Sequence, residues 1–96
     1  MAAYIIANVS ISDEKEYSKY TAVTPGIIEK YNGEFVVRGG PVETLEGRTS
    51  DARWVVLKFE TEAQARAFYE SPEYSAAKQI RQNASDSQFL LLQGYS

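Results

Sequence analysis

The segments of this chain with strand character are apolar on both faces. A strand turns successive side chains to opposite sides, so a sheet with one wet face alternates apolar and polar residues. The run Arg53–Glu60, Arg-Trp-Val-Val-Leu-Lys-Phe-Glu, hardly does so: Arg53, Val55, Leu57 and Phe59 point one way and Trp54, Val56 and Lys58 the other. Two more runs behave alike. Ile5, Ala7 and Val9 oppose Tyr4 and Ile6, and Leu90 and Leu92 oppose Phe89 and Leu91. We expect Trp54, Val56, Phe89, Leu91, Tyr4 and Ile6 to share the second face. Such a sheet needs cover on two sides, because each large apolar side chain left in water forfeits about 1.5–3 kcal/mol.

Between these runs lie helix signals. Asp13 with Glu16 three residues later resembles a capping box, and Glu14 adds charge where the helix dipole favours it. Tyr17, Tyr20, Val23, Ile27 and Tyr31 then recur at helical spacing. Pro25 predicts a kink or a restart there, with Thr24 as cap, because it removes an amide and crowds the carbonyl of Thr21. Asn32-Gly33 predicts an end through a left-handed residue. Glu34–Arg38 reads as a second strand closed by Gly39-Gly40-Pro41, with Val42–Leu45 as a short extended arm. Thr61 with Gln64 opens another helix, and Ser71-Pro72-Glu73 a further one that runs to about Asn83. Gln88–Gln93 is the last strand.

The order is strand, helix, strand, strand, broken helix, strand. Right-handed crossovers turn this into an α+β sandwich of the ferredoxin-like βαββαβ kind, a four-stranded antiparallel sheet with its helices on one side. The 96 residues form a single ferredoxin-like domain, 1–96. Helices cover one face only. The second face is covered either by a second copy of the chain, a homodimer through sheet faces, or by the Val42–Asp51 segment of the same chain.

The chain has no Cys and no His. This removes disulfides, thiol nucleophiles, imidazole bases and the usual zinc and haem ligands, so no cofactor and no metal are expected. Thirteen acids against ten bases give a net charge of −3, which argues against nucleic acid as a partner. The sheet motif of RNA-recognition modules is missing as well. No apolar run reaches the ~18 residues of a membrane span, and no basic leader precedes Tyr4, so a cytoplasmic protein without a membrane partner is expected.

Chemistry must then come from arginine and tyrosine. Arg38 and Arg53 each end an otherwise apolar strand. Beside a core, a guanidinium needs a carboxylate, a carbonyl or a ligand anion. Either these two clamp an acidic small molecule, or they pair with Glu43, Glu46 or Asp51 and pin the intervening loop. Tyr74, Ala77 and Arg81 share one stripe of the last helix. Either Tyr74 and Arg81 form a polar pair at a pocket rim, or Tyr74 packs on the sheet edge while Arg81 serves the helix dipole. The ligand-binding candidates are Arg38, Arg53, Tyr74 and Arg81, and the catalytic candidates are Tyr74 and Arg53.

Several stretches resemble one bacterial family. They are Arg38-Gly39-Gly40, Leu45-Glu46-Gly47, Arg53 leading into Val55-Val56-Leu57-Lys58-Phe59, Phe68-Tyr69-Glu70-Ser71-Pro72-Glu73-Tyr74, and Arg81. Together they resemble domain of unknown function 1330, nearly end to end. The family's usual Tyr-Gly-Gly is Tyr31-Asn32-Gly33 here. The resemblance implies a dimeric α/β barrel related to cofactor-free monooxygenases and muconolactone-isomerase-like proteins. It implies no established activity. Two functions are carried forward: an anionic or carbonyl-bearing small-molecule pocket between sheet and helices, acting without a cofactor, and a non-enzymatic accessory dimer that binds a ligand or a protein.

Overall fold

The computed structural model describes residues 1–95. Its elements are β1 (Ala3–Ile11), α1 (Glu14–Lys30), β2 (Glu34–Arg38), β3 (Arg53–Phe59), α2 (Glu62–Tyr69), α3 (Pro72–Ala84) and β4 (Ser85–Gln93). All pairings are antiparallel, in the order β2-β3-β1-β4. Three helices cover one face of this ferredoxin-like sheet, and the molecule is flat, 33 × 31 × 16 Å.

Local chemistry sets the helix starts. The side chains of Asp13, Thr61 and Ser71 accept from the amides of Glu16, Gln64 and Tyr74, at 3.1, 3.1 and 3.0 Å. Each satisfies an amide that the first turn leaves without an intrahelical partner. Asn32 has φ 62°, and the Gly33 amide returns to the Ile28 carbonyl at 2.9 Å, closing α1 as its Asn-Gly predicts.

Pro25 does not break α1. The helix runs unbroken through it, although an interior proline costs about 3 kcal/mol. Tertiary packing outweighs that local cost: Tyr17, Tyr20, Thr24 and Ile28, spanning both sides of Pro25, are all buried. The buried stripe is therefore shifted from the expected one, and Val23 lies 45% exposed. Segment 39–52 holds no strand either, and Leu45 in it is 91% exposed.

β4 starts earlier than expected, and its faces are reversed relative to the sequence reading. Phe89 stands opposite Ala7 and Leu91 opposite Ile5, so both face the helices and pack on the core. Leu90 and Leu92 stand opposite Ile6 and Tyr4 on the uncovered face. Four consecutive apolar residues, Phe89 to Leu92, carry no period of two, so pairing with β1 decides their phase. The uncovered face thus carries a row formed by Val37, Val56, Ile6 and Leu90, one residue from each strand. Among the described residues no helix is long and apolar enough to cross a membrane.

Candidate functional site

A register shift in β2 positions the first arginine. Phe35 pairs with Leu57, but Val37 pairs with Val56 and Arg38 with Val55, leaving Val36 as an extra residue. Without that bulge Arg38 would fall on the face opposite Phe35; with it both face the helices. The Arg38 guanidinium lies 4.3 Å from the Phe35 ring centroid, a cation–π contact. Nothing in the alternation of Glu34–Arg38 announces the bulge.

Gly39 positions the second arginine. Its φ of +70° suits glycine, and its amide donates to the Trp54 carbonyl at 2.8 Å. The Arg53 guanidinium packs directly against it: a Cβ on Gly39 would stand 2.6 Å from Arg53 Cζ. Arg53 Nε is buried with no hydrogen-bond partner.

Helices supply hydroxyl groups opposite these arginines. Tyr17, Tyr20, Thr21 and Thr24 come from α1, and Tyr74 from the first turn of α3, whose start Ser71 caps. The hydroxyls of Tyr20 and Tyr74 lie 2.7 Å apart. Tyr74 is fully buried, packed on the rings of Phe68 and Tyr69 at centroid distances of 4.7 and 5.4 Å. Burial pushes the Tyr20 hydroxyl far above the ordinary phenol range, and Tyr74 beside it raises it further. Burial also raises Tyr74, opposed by the Tyr20 hydrogen bond and by Arg81. Tyr17 is raised by burial and held back by Arg53. All three are neutral donors at pH 7.

These groups surround a cavity of about 60 Å³ between the sheet and α1. Arg38, Arg53, Phe35, Tyr17, Tyr20, Thr21, Thr24 and Tyr74 line it along with the apolar core, and no acid or amide side chain does. An open groove of about 500 Å³ adjoins it, sharing Val9 and Arg53. Three of the four arginine and tyrosine candidates therefore meet. Arg81 does not line the cavity; it sits behind it, 4% exposed, bonded to the Ser87 hydroxyl and 4.1 Å from the Phe89 ring centroid.

The alternative partners are not engaged. Among the described residues the ion pairs are Lys19–Glu16, Lys30–Glu73 and Arg66–Glu62. Among the described residues Arg38, Arg53 and Arg81 have no carboxylate within ion-pair distance, so Glu43, Glu46 and Asp51 form no ion pair with the strand-end arginines. No three acidic side chains converge as metal ligands among the described residues. Sequence reading placed Tyr17 and Tyr20 on the inner face of α1 but not at this site. Their helical spacing marks burial without saying which hydroxyls meet.

Residues 2–95 match the model of the family described as Domain of unknown function (DUF1330). This chain belongs to that family. None of the proteins with curated descriptions matches the sequence. Among solved structures, the DUF1330 chain resembles a protein of unknown function from Rhodopseudomonas palustris, with TM-score 0.78 and 18% identity over 99% of this chain and 83% of that one. A dimeric ferredoxin-like protein of unknown function from Jannaschia sp. CCS1 superposes with TM-score 0.74 at 13% identity, over 98% and 100% of the two chains. SnoaB, a cofactor-independent oxygenase from Streptomyces nogalater, superposes with TM-score 0.68 at 15% identity, over 99% and 94%. At these identities the likeness is one of fold.

Proposed function

We propose that this DUF1330 chain is a homodimer that binds an anionic or carbonyl-bearing small molecule in the cavity between sheet and helices. One observation carries the reading. Arg38 and Arg53 line the same cavity, and among the described residues neither has a carboxylate within ion-pair distance, in a chain of net charge −3. Arg53 is half-buried and Arg38 exposed, and an anion entering between them gains charge-assisted hydrogen bonds. Arg38 and Arg53 hold the anion, Tyr74 orients it and donates to it, and Arg81 supports Tyr74 from behind.

Chemically, such a site stabilises negative charge developing on a ligand oxygen. The cavity lining contains no carboxylate, the chain contains no His, and burial keeps the tyrosines protonated. The site thus offers donors but no general base. That observation favours a second reading, in which the dimer binds its ligand without transforming it. Native mass spectrometry followed by recovery of the bound molecule tests both. An anion retained by the wild type and lost from Arg53→Met supports the site, and recovery of that anion altered after incubation selects the enzyme. A wild type that retains no anion overturns both.

The uncovered face supports the dimer. The protomer exposes 6421 Å², against roughly 5,500 Å² for a compact monomer of this mass. The exposed segment 39–52 contributes to that excess together with the uncovered face, where Leu90 and Leu92 are each 45% exposed. The Jannaschia relative is itself described as dimeric. Sedimentation at micromolar concentration tests it: a dimer is expected, and a monomer up to the highest soluble concentration overturns it.

A further inference from the structure

We infer that in the homodimer residues 42–46 of each protomer add as a fifth strand to the β4 edge of the other, with the partner's Leu45 seated between α2 and β4. This rests on the dimer reading above. It draws on three features of the protomer: an open sheet edge, a cavity of side-chain size beside it, and an arm with little to pack on.

The two edges of the sheet differ. β2 is short, carries the bulge at Val36 and runs into Gly39-Gly40-Pro41, features that keep other strands from pairing with an edge. β4 has none of them. It runs nine residues, Ser85 to Gln93, in unbroken register with β1, and contains no Pro, Gly, Lys or Arg. Among the described residues nothing pairs with its other side, so every second residue turns an amide and a carbonyl outward. Beside that edge lies a cavity of about 180 Å³ walled by Ile5, Ala65, Tyr69, Phe89 and Leu91, with Arg66 and Glu70 at its rim. Leu90 lines it too. Its side chain is on the opposite face, so the cavity opens past the β4 main chain. An apolar cavity of ~150 Å³ takes up a benzene, so this one accepts a leucine delivered by a strand laid along β4.

The chain itself offers that side chain. In segment 39–52 Val42 is 48% and Leu45 91% exposed. Extended, residues 42–46 turn Glu43 and Leu45 to one side and Val42 and Thr44 to the other. Added to β4, Leu45 enters the cavity while Val42 turns to the face that the second sheet covers. Charge agrees. Glu43 enters on the side of Leu45, where Lys78 sits 4.6 Å from the Tyr69 ring centroid with no carboxylate within ion-pair distance among the described residues. Topology brings arm and edge together. β2 and β4 are opposite edges, and a two-fold axis along the strands between facing sheets lays the β2 edge of one protomer over the β4 edge of the other. The six residues from Gly39 to Leu45 reach up to ~20 Å, enough to cross the ~10 Å between packed sheets.

With no Cys in the chain, an introduced pair reports this one contact. Leu45→Cys combined with Arg66→Cys, both at exposed positions, is oxidised with copper phenanthroline and run on a non-reducing gel, with Leu45→Cys alone as control. A cross-linked dimer is expected from the double variant and none from the control. Leu45→Asp should raise the dimer dissociation constant at least about tenfold, as expected for losing one buried leucine, and should speed hydrogen exchange at the outward amides of residues 89–92. A chain that sediments as a dimer but gives no cross-link, or an intramolecular one, overturns the arm exchange and leaves the dimer standing. Unchanged dimerisation of Leu45→Asp overturns the exchange equally, whether or not the double variant folds. A monomeric wild type overturns the dimer reading beneath it.

Discussion

The Tyr20 and Tyr74 hydroxyls, fifty-four positions apart in the chain, meet at 2.7 Å in the interior and join α1 to α3. Neither ring could be placed there by its own helix alone. Removing one hydroxyl leaves the other without its partner, at a cost of about 1–3 kcal/mol, whereas removing both leaves no unmatched group. Y20F and Y74F should therefore each destabilise by that amount, and Y20F/Y74F by less than their sum. Urea unfolding of the four proteins measures the coupling, and strict additivity would contradict it.

Gly39 and Gly40 are adjacent but not equivalent. A Cβ at Gly39 meets the Arg53 guanidinium and must adopt φ +70°, while a Cβ at Gly40 meets nothing within 4 Å. Gly39→Ala should cost about 1–3 kcal/mol and displace Arg53. Gly40→Ala should stay within about 0.5 kcal/mol of wild type. Thermal melts compare them, and anion titration of Gly39→Ala should show weakened binding.

The Glu73 carboxylate gives stability a pH dependence. Its hydrogen bond from Lys30, with others from the backbone and from Tyr31 at 3.0 Å, holds its pKa down to about 2, below an ordinary value of 4.5. A depressed folded value means that the unfolded chain binds the proton first, so the contribution is fully present above pH 4.5 and disappears as pH falls towards 2. The same contact raises Lys30 above 10.5, so its contribution is present below 10.5 and disappears as pH rises through the raised value. Wild type should exceed E73Q in stability from pH 5 to 10, with the gap closing between pH 4.5 and 2. A constant gap down to pH 2 would show that the contact is not ionic.

Leu90 tests the dimer face without touching the core. It stands opposite Ile6 on the open side and is 45% exposed in the protomer, so Leu90→Lys should fold. Two-fold symmetry places two such charges in each interface. Sedimentation should show the variant as a monomer at concentrations where wild type is dimeric, with unchanged far-ultraviolet circular dichroism.

Much of the architecture was legible in the residues. Asp13, Thr61, Ser71 and Asn32-Gly33 act through bonds within three to five positions, so their effect is written locally. The candidate site was legible in part: Arg38 and Arg53 stood out as charges ending apolar strands, and Tyr74 by its stripe with Arg81. Tyr20 was hidden because packing accounts for a buried tyrosine as well as a site does. Arg81 reads as a neighbour of Tyr74 in sequence but lies behind the cavity.

Sequence alone determined the element order, the helix caps, the double-sided greasiness of the strands and the restriction to arginine and tyrosine chemistry. Each follows from composition or from contacts a few residues long. Tertiary structure decided the rest: the continuity of α1 through Pro25, the faces of Phe89 to Leu92, the bulge that turns Arg38 inward and the meeting of Tyr20 with Tyr74. Those outcomes depend on register and packing between segments far apart in the chain, where the burial of many side chains at once outweighs any local preference.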